Sequence, residues 1–540
     1  MRFIESLWHV RTRLVVFGML GLALLPTAQG SRWPEYGGTL RVELRAASVS
    51  LDPREWKAGT MESATDEKMG ALVFDRLVAL DNYGRFQPQL AKEWSHDAGF
   101  KRWVFTLRPE VKFSDGTLLS GADVAAALQP LLPNGQQIMA SGNSVVIQSA
   151  AAMADLLEEL ASGSFFVYRV QPDGSLMGTG PFFVSELANG GRGPSSSSTA
   201  AGDSNLAASS PGANKMTHLR FRANEETWSG RPFLDAIEVT LGVPPLRQLL
   251  DLQLGKADLV ELSPELVRRA MQDNQRVWSS VPVTFYGLRF DDAQPAASAA
   301  KLRKAMSLSL DRQTMANVLL QKQAEPASAL LPQWLSGYAF LFTMETNIDR
   351  AKEIRATLPA NMAAGAEPLR LRLNAPGDLA KLLGERVAVN AREAAILVQV
   401  VNRPVTRSAN AASSDPATGM HLFSWHYSSL SPKVELESMV STLNFGDSPE
   451  AAVSSADPEQ LYEREKRLLE ERRVLPLVAL PEYIGLSQNV RDWMPARWGE
   501  WHLADVWLDL PETSPAPPGN SNATATPAAQ PAPASPGAKP

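Results

Sequence analysis

The chain has no cysteine among its 540 residues. This absence excludes disulfide bonds, thiolate metal sites, a cysteine nucleophile and a lipidated N-terminal cysteine. An excess of positive charge is also lacking, because 52 basic residues stand against 58 acidic residues for a net charge of −6. The basic surface typical of nucleic-acid binding is therefore not expected.

Catalytic motifs are missing as well. The sequence contains no HExxH or GxSxG motif and no phosphate-binding loop, and its acidic residues are not patterned as a catalytic pair. Nothing in the sequence supports an enzyme, and we expect no catalytic residues and no cofactor. A hydrolase would have to show turnover that one side-chain change abolishes, and no residue presents itself for that role.

Histidine is scarce, with six in the chain. Two of them, His421 and His426, lie five residues apart around Trp425. Imidazole suits nickel or zinc, but no carboxylate is close in the sequence to complete a ligand set. We therefore expect no metal site.

Long hydrophobic runs are lacking too. The apolar run of residues 14–25 follows Arg2, Arg11 and Arg13 and precedes the small-residue stretch 28–30. It is shorter than the roughly 18 residues that a membrane span needs. The pattern predicts a cleaved signal peptide over residues 1–30 and a periplasmic protein that is not a lipoprotein and has no stable membrane span after cleavage. The alternative is an uncleaved membrane anchor.

Three segments have the composition of loops or disordered chain. Residues 189–215 are almost all small and polar, and residues 511–540 are rich in proline and alanine. Neither can bury enough apolar surface to offset the entropy of ordering, so we predict a disordered insert and a disordered tail. The tail could alternatively be a tether. Residues 408–418 are a weaker loop prediction.

Between these segments, predicted strands alternate with predicted helices, which implies α/β lobes with mixed sheets. Asp311 is a predicted helix N-cap. The predicted strands cover residues 39–44, 102–107, 181–187, 234–241, 369–373 and 396–401. The predicted helices cover residues 71–80, 245–254, 301–308, 378–394 and 458–472, and another begins at residues 120–123.

The order of motifs resembles one family. Residues 71–124 combine an apolar segment, the turn at residues 81–84, an alternating strand and a second turn at Asp115-Gly116. Further similar segments follow the same order: residues 39–53, 178–182, 222–235, 302–312, 461–484 and 493–508. Together they resemble the family 5 extracellular solute-binding proteins, the oligopeptide, dipeptide and nickel receptors of ABC importers.

The resemblance implies a fold and a function. The fold is α/β, a two-lobed periplasmic-binding-protein clamshell with mixed sheets and an extra α/β domain. The main lobe is expected from residues 36–60, 175–280 and 485–510, the extra domain from 61–174, and the second lobe from 281–484. The implied function is capture of a peptide-like or other small solute by hinge closure, without catalysis, and delivery to ABC permease subunits. We expect a monomer.

The resemblance also implies where the ligand binds. The expected contacts are Ser48, Ser50, Thr179, Phe182, Trp425, His426 and Ser428, with Arg289 as a further candidate. Trp425 would supply a stacking face or be a core tryptophan. Arg289 could pair with a ligand carboxylate or be a solvated strand-end arginine.

The sequence departs from the family's pattern at Ser428. Peptide-binding members have an aspartate there that pairs with the peptide ammonium, and a serine hydroxyl cannot neutralise that charge. The ligand could lack the amine, a carboxylate from elsewhere could replace the aspartate, or the site could be degenerate. A degenerate site would favour the alternative of a non-transport sensor or assembly protein on the same fold.

Overall fold

A computed structural model of the chain describes residues 33–81, 83–161, 163, 165–189, 216–290, 296–358, 368–401, 419–444 and 457–510. The predicted signal peptide, the insert apart from Asn189, the loop at 408–418 and the tail lie outside the described residues.

The strands of the described part are numbered here in chain order. They are β1 Thr39–Glu43, β2 Val78–Leu80, β3 Phe86–Pro88, β4 Ala91–His96, β5 Arg102–Leu107, β6 Gln136–Ser141, β7 Ser144–Ser149, β8 Arg169–Val170, β9 Leu176–Met177, β10 Phe182–Asn189, β11 Met216–Ala223, β12 Ala236–Thr240, β13 Leu259–Leu262, β14 Arg276–Phe290, β15 Glu325–Pro326, β16 Leu369–Leu373, β17 Val398–Val401, β18 Met420–His426, β19 Val474–Leu486, β20 Val490–Arg491 and β21 Trp507–Leu508.

The α-helices are numbered in the same way. They are α1 Met61–Val73, α2 Gly121–Leu128, α3 Leu156–Leu160, α4 Pro245–Gln253, α5 Pro264–Gln272, α6 Ala296–Ser309, α7 Arg312–Thr314, α8 Gln333–Ser336, α9 Ile348–Ala356, α10 Gly377–Glu393, α11 Pro432–Leu443 and α12 Pro458–Glu470. A π-helical turn, Met315–Leu319, continues α7.

Most strands join one mixed sheet in the order β10-β11-β12-β1-β13-β19-β14-β18-β16-β17, with β15 paired to β19. Strand β1 runs parallel to β12 and β13, and β16 runs parallel to β17 and β18, whereas the other neighbours are antiparallel. Helices cover the parallel strands, as the burial of parallel strands requires. The predicted mixed sheet is confirmed.

The two long central strands, β14 and β19, connect separate hydrophobic cores. One core holds Leu40, Ile237 and Leu486, and another holds Leu288 and Leu480. Between them the pairing of β14 with β19 is irregular around Pro282, which lies opposite Pro481. A proline cannot donate a ladder hydrogen bond, so the pairing of the two strands is interrupted here. The predicted lobe boundaries at residues 280/281 and 484/485 lie nearby and remain predictions.

A separate four-stranded antiparallel sheet, β4-β5-β7-β6, packs with α2 over its own core. Trp103 and Phe105 on β5 are buried in that core, as the alternating strand predicts. Helix α2 begins with a reciprocal capping box between Ser120 and Asp123. The predicted turn at Asp115-Gly116 is also present, with Gly116 at a φ of +83°.

The predicted helix over residues 71–80 is wrong. Helix α1 begins after the Thr60 N-cap and ends at Val73, where the Phe74 N–H donates to the Gly70 carbonyl. The rest of the apolar run forms β2, which pairs with β3. Apolar periodicity over ten residues cannot distinguish a buried helix from a helix end followed by a strand, and the tertiary pairing decides. The other predicted elements are present within a few residues, including the Asp311 N-cap.

Within the described ranges, no helix combines the length and apolar character needed to cross a bilayer.

Candidate functional site

A small cavity lies where the ends of several elements meet. One face of α1 lines it with Ala64, Glu67, Lys68 and Ala71, and residues 426–428 after β18 line the opposite wall. Arg76, Ala161, Gly163 and the segment 498–500 complete it. Its volume is about 50 Å³. That is room for about one or two water molecules, so a peptide does not fit in this closed arrangement.

Trp425 is fully packed at this wall, with 2% of its surface exposed. Its indole N–H donates to Glu435 Oε2 at 2.8 Å. The backbone of Gly59 lies against its ring, so close that a β-carbon at Gly59 would stand 2.3 Å from the ring. In this conformation the face expected to stack on a ligand therefore packs against the chain itself.

Glu435, on α11, lies behind Ser428 rather than in the cavity. Its Oε1 accepts the Ser428 N–H at 2.6 Å and also the Ser429 N–H. Burial raises the pKa of the Glu435 carboxyl to about 7, while the donors from Ser429, Trp425 and Ser428, including the Ser428 hydroxyl, lower it. The carboxyl that lies behind Ser428 is thus engaged by these internal donors.

Two further backbone bonds close the cleft over residues 426–428. The His426 N–H donates to the Gly59 carbonyl at 2.9 Å, and the Gly163 N–H donates to the Ser428 carbonyl at 3.1 Å. The imidazole Nδ1 of His426 lies 3.3 Å from the Thr284 hydroxyl. Burial lowers the pKa of His426 to about 3, with the Lys68 ammonium adding to the effect, so the ring is neutral.

The cavity walls carry ion pairs. Arg76 Nη1 lies 2.6 Å from Glu500 Oε1, and Arg76 Nη2 donates to the Gly163 carbonyl at 3.0 Å. Lys68 pairs with Glu482 on β19. Both cations are therefore matched by a carboxylate at short range, as buried charges require.

Glu67 differs from these neighbours. It makes no hydrogen bond and no ion pair with any residue in the described ranges. Burial raises the pKa of its carboxyl to about 8; Arg76 and Lys68 oppose the rise, and Glu435 and Glu500 add to it. The side chain is half-buried and lines the cavity. An unengaged carboxyl in an otherwise paired site is a position that could accept a positively charged group.

Thr179 and Phe182 were predicted to contact a ligand, but the structure places both in the packed interior. The Thr179 hydroxyl donates to Asp75 Oδ2 at 2.8 Å, and the Trp228 indole donates to the same oxygen at 2.8 Å. Phe182 belongs to the main core. Neither residue lines the cavity.

Gly178 and Gly180 flank Thr179 and allow this segment to pack closely against the backbone of Val73. A β-carbon at Gly178 would stand 1.9 Å from the Val73 carbonyl oxygen, and one at Gly180 would stand 2.6 Å from the Val73 carbonyl carbon. The sequence indicated a close approach at these glycines. The approach is to the end of α1, which the motif holds against the main core.

Ser48, Ser50 and Arg289 also lie away from the cavity lining. The Ser50 N–H donates to Asp66 Oδ1 and its hydroxyl donates to Glu55, so Ser50 connects the middle of α1 to the turn that precedes the helix. Arg289 Nη1 donates to the Leu443 carbonyl at 2.9 Å. Of the eight predicted contact residues, His426 and Ser428 line the cavity, and Trp425 packs directly behind them.

The sequence interpretation missed Glu67, Lys68, Arg76 and Glu500. The residues of α1 that line the cavity are spaced i, i+3, i+4 and i+7, which is the spacing of one helix face. That spacing was readable in the sequence, but the helix was predicted ten residues too late. Arg76 and Glu500 lie 424 positions apart, and no local pattern joins them.

Among the described residues, no group of three or more histidines and carboxylates is arranged to hold a metal ion. His421 Nδ1 lies 3.1 Å from the Asn374 amide.

Comparisons with known proteins give one consistent result. The profile described as "Bacterial extracellular solute-binding proteins, family 5 Middle" matches residues 85–190 and 209–447, more than half of the chain. The nickel-binding periplasmic protein of Escherichia coli K12 is 23% identical over 349 residues, which is 60% of this chain and 64% of that protein. The chain thus spans slightly less than two thirds of that relative's length.

Two solved structures share the fold. The dipeptide-binding protein of Pseudoalteromonas sp. SM9913, in complex with Met-Leu, superposes with a TM-score of 0.70 at 14% identity, over 87% of this chain and 100% of that one. NikA of Staphylococcus aureus, in complex with Ni(L-His)2, gives 0.68 at 16% identity over the same shares. These likenesses confirm the two-lobed clamshell expected from the motifs.

Family members are binding proteins rather than enzymes, and the relatives named above include a periplasmic protein. The match over more than half of the chain confirms the resemblance carried by the motifs. The chain belongs to the bacterial extracellular solute-binding proteins, family 5.

Proposed function

We propose that the protein is the substrate-binding component of an ABC importer. It captures a peptide-like or other small solute in the cleft between α1 and residues 425–428, closes about the irregular section of β14 and β19, and delivers the solute to a permease. The protein acts in the periplasm as a monomer, after removal of residues 1–30, and has no catalytic activity.

The observation that carries the proposal is the cavity itself. It lies beside Trp425, at the wall that the resemblance identified as the ligand wall, and charged groups line it. Two of the bonds that close it, from His426 to Gly59 and from Gly163 to Ser428, join segments distant in the chain. A ligand that makes better contacts in the closed than in the open state would shift the population towards closure.

Native mass spectrometry tests the proposal. Protein purified from the cells that encode it, without unfolding, is compared with the same protein after unfolding, dialysis and refolding. We expect a bound solute in the first sample and none in the second. The variant Ala71→Phe, which fills the cavity, is expected to retain less solute, while a matched exposed change, Leu118→Phe, retains as much as the wild type. The same solute-free mass in both wild-type samples, with no solute stabilising the refolded protein, would contradict the proposal.

A second function deserves a test because the chain fills its own cleft. Gly59 covers Trp425, and the cavity holds little more than water. The same fold could serve as a non-transport sensor or assembly protein with a degenerate ligand site. That function predicts no retained solute in any preparation and a partner protein that binds the closed form.

A further inference from the structure

Ion pairs surround the cavity, but the carboxyl of Glu67 takes part in none of them within the described part of the chain. Arg76 is matched by Glu500, and Lys68 by Glu482. A third pair, Arg45 with Glu261, lies next to Glu482, which contributes to the electrostatics of Arg45. Each of these three cations is thus matched by a carboxylate, and Arg45 and Glu261 lie outside the cavity lining. Of the remaining carboxyls, Glu435 accepts hydrogen bonds from N–H groups, and Glu67 is left without a partner in the described part of the chain.

No residue in the described part of the chain forms an ion pair or a hydrogen bond with the Glu67 carboxyl. Its neighbours Lys68 and Arg76 direct their charged ends to other carboxylates, and His426 is neutral. A carboxylate in a confined site is costly unless a positive charge or several donors match it. The match can come from a proton or from a ligand.

The position of Glu67 fits a ligand role. It shares the cavity with Ser428, which stands where peptide-binding relatives have their ammonium-binding aspartate. Glu435, the other carboxyl near Ser428, is engaged by three N–H groups and cannot turn to the cavity without leaving them unpaired. Glu67 is therefore the carboxyl in the described part of the cavity wall that is available to a ligand.

We propose that Glu67 binds a positively charged nitrogen of the ligand, and that the protein selects solutes that carry an ammonium or a guanidinium group. This inference rests on the proposed function of solute capture. In this proposal the cation binds to Glu67 on helix α1, and position 428, which is a serine in this chain, no longer supplies the carboxylate. The closed cavity of about 50 Å³ admits the cationic head, and the remainder of the solute occupies space that opens with the cleft.

Proton release gives the proposal a distinctive readout. In the closed conformation described here, burial raises the pKa of Glu67 to about 8, so an unmatched Glu67 keeps its proton at neutral pH whenever the cleft is closed. The charged groups that face it are Lys68 and Arg76, Glu435 and Glu500, and none of these is expected to change partner when a cation binds. Binding of a cation to Glu67 stabilises the carboxylate, and the proton is released to the buffer.

Isothermal titration calorimetry on refolded, ligand-free protein tests this at pH 7 in two buffers of different ionisation enthalpy. The probes are two pairs, each a cation and its neutral analogue: trialanine with N-acetyl-trialanine, and 1,5-diaminopentane with 1,5-pentanediol. We expect at least one amine to bind the wild type at least tenfold more tightly than its neutral analogue, with a buffer-dependent enthalpy. Glu67→Gln should lose both features, and Glu67→Asp should keep part of the affinity.

The matched control is Glu62→Gln, on the exposed side of the same helix. It removes the same charge and should bind like the wild type. Equal binding of amines by Glu67→Gln and wild type, equal binding of the neutral analogues, or no binding of either amine to the wild type would each overturn the inference. The proposed function is judged separately, since retention of an uncharged or anionic solute in native mass spectrometry would leave it standing.

Discussion

Individual residues decide what this cleft can hold. Ser428 places a hydroxyl at the position where the resemblance implies an aspartate. Glu435 fills the space behind it with internal hydrogen bonds, and Glu67 presents a carboxyl from the opposite wall. Each has a different role, although two of the three are glutamates with a raised pKa. The difference lies in the hydrogen bonds that they accept, because Glu435 accepts from three N–H groups and the Ser428 hydroxyl, whereas Glu67 accepts none in the described part of the chain.

The first prediction concerns Glu435. Glu435→Ala leaves the N–H groups of Trp425, Ser428 and Ser429 without their acceptor, and unpaired buried donors cost about 1–3 kcal/mol each before relaxation. We expect the free energy of unfolding to fall by at least about 2 kcal/mol in urea titrations. Glu463→Ala, at an exposed position of α12, should change it by less than about 0.5 kcal/mol. Equal stability of the two variants would contradict the structural role of Glu435.

The second prediction concerns Gly178. A β-carbon there would overlap the Val73 carbonyl oxygen at 1.9 Å, and backbone cannot move aside as a flexible side chain can. Gly178→Ala should therefore destabilise the protein by about 1–3 kcal/mol or more. A β-carbon at Gly99 would lie 3.7 Å from its nearest atom, so Gly99→Ala is the control and should leave stability nearly unchanged. Thermal melts of both variants measure the difference. Wild-type stability of Gly178→Ala would show that the contact with Val73 is not as close as described.

At the scale of elements, helix α1 links the family's motifs to the cleft. Its C-terminal end packs into the main core through Met69, Leu72 and Val73, and its polar face lines the cavity. Lys68 ties it to β19, one of the two strands that run between the cores. A shift of α1 relative to β19 would therefore change both the cavity and the pair of central strands that connects the two cores.

A double-mutant cycle across this contact gives the third prediction. Lys68→Met leaves Glu482 buried without its cation, and breaking a buried pair in this way costs about 3–5 kcal/mol. Adding Glu482→Leu should restore much of the lost stability in chemical denaturation, because the unpaired charge is then gone. Lys92→Met, whose side chain is 47% exposed, is the control and should have little effect. Additive losses in the double variant would mean that the two side chains do not interact.

Sequence patterns were sufficient for elements whose contacts are local. The strand β5, the capped start of α2 and the strand β16 have their predicted positions because alternation and capping are properties of neighbouring residues. The end of α1 was missed because Val73, where the helix stops, packs against Gly178 and Gly180, which are distant in the sequence. The cavity could not be assembled from sequence, since Glu67, Gly163, Ser428 and Glu500 converge only through the tertiary fold.

The same contrast applies to the predicted ligand residues. The segment 425–428 was found through its resemblance to a family motif, and the structure places it at the cavity. Thr179 was selected on the same grounds, but it is bonded to Asp75 in the interior. A motif identifies a position in the fold, whereas the surrounding contacts decide whether that position supports structure or meets a ligand.

At the scale of the whole molecule, buried carboxyls set how stability depends on pH. Burial raises the pKa of Glu67 to about 8 and those of Glu435 and Glu465 to about 7. Between about pH 5 and 8 the folded protein keeps protons that the unfolded chain has released, so the free energy of unfolding falls as pH rises. Burial lowers the pKa of His426 to about 3, which acts oppositely below about pH 6.5.

The fourth prediction is therefore a maximum of stability near pH 5 and a decline towards pH 8, measured by urea titrations across that range. Glu67→Gln removes one of the contributing protons without removing a hydrogen bond, so its decline should be shallower than that of the wild type. Glu62→Gln should follow the wild-type curve. Stability that rises steadily from pH 5 to pH 8 would contradict the burial of these carboxyls.

The central claim is that solute capture closes the cleft over residues 426–428. Hydrogen exchange at the amides of His426 and Gly163 measures this directly, because these two N–H groups bond across the cleft to Gly59 and Ser428. Protein purified with its native solute is compared with the same protein after unfolding, dialysis and refolding, and the amide of Leu288 in the central sheet serves as the internal reference. We expect the amides of His426 and Gly163 to exchange much more slowly in the loaded protein, and the amide of Leu288 to exchange at the same rate in both. Equal exchange at His426 and Gly163 in the two preparations would contradict it.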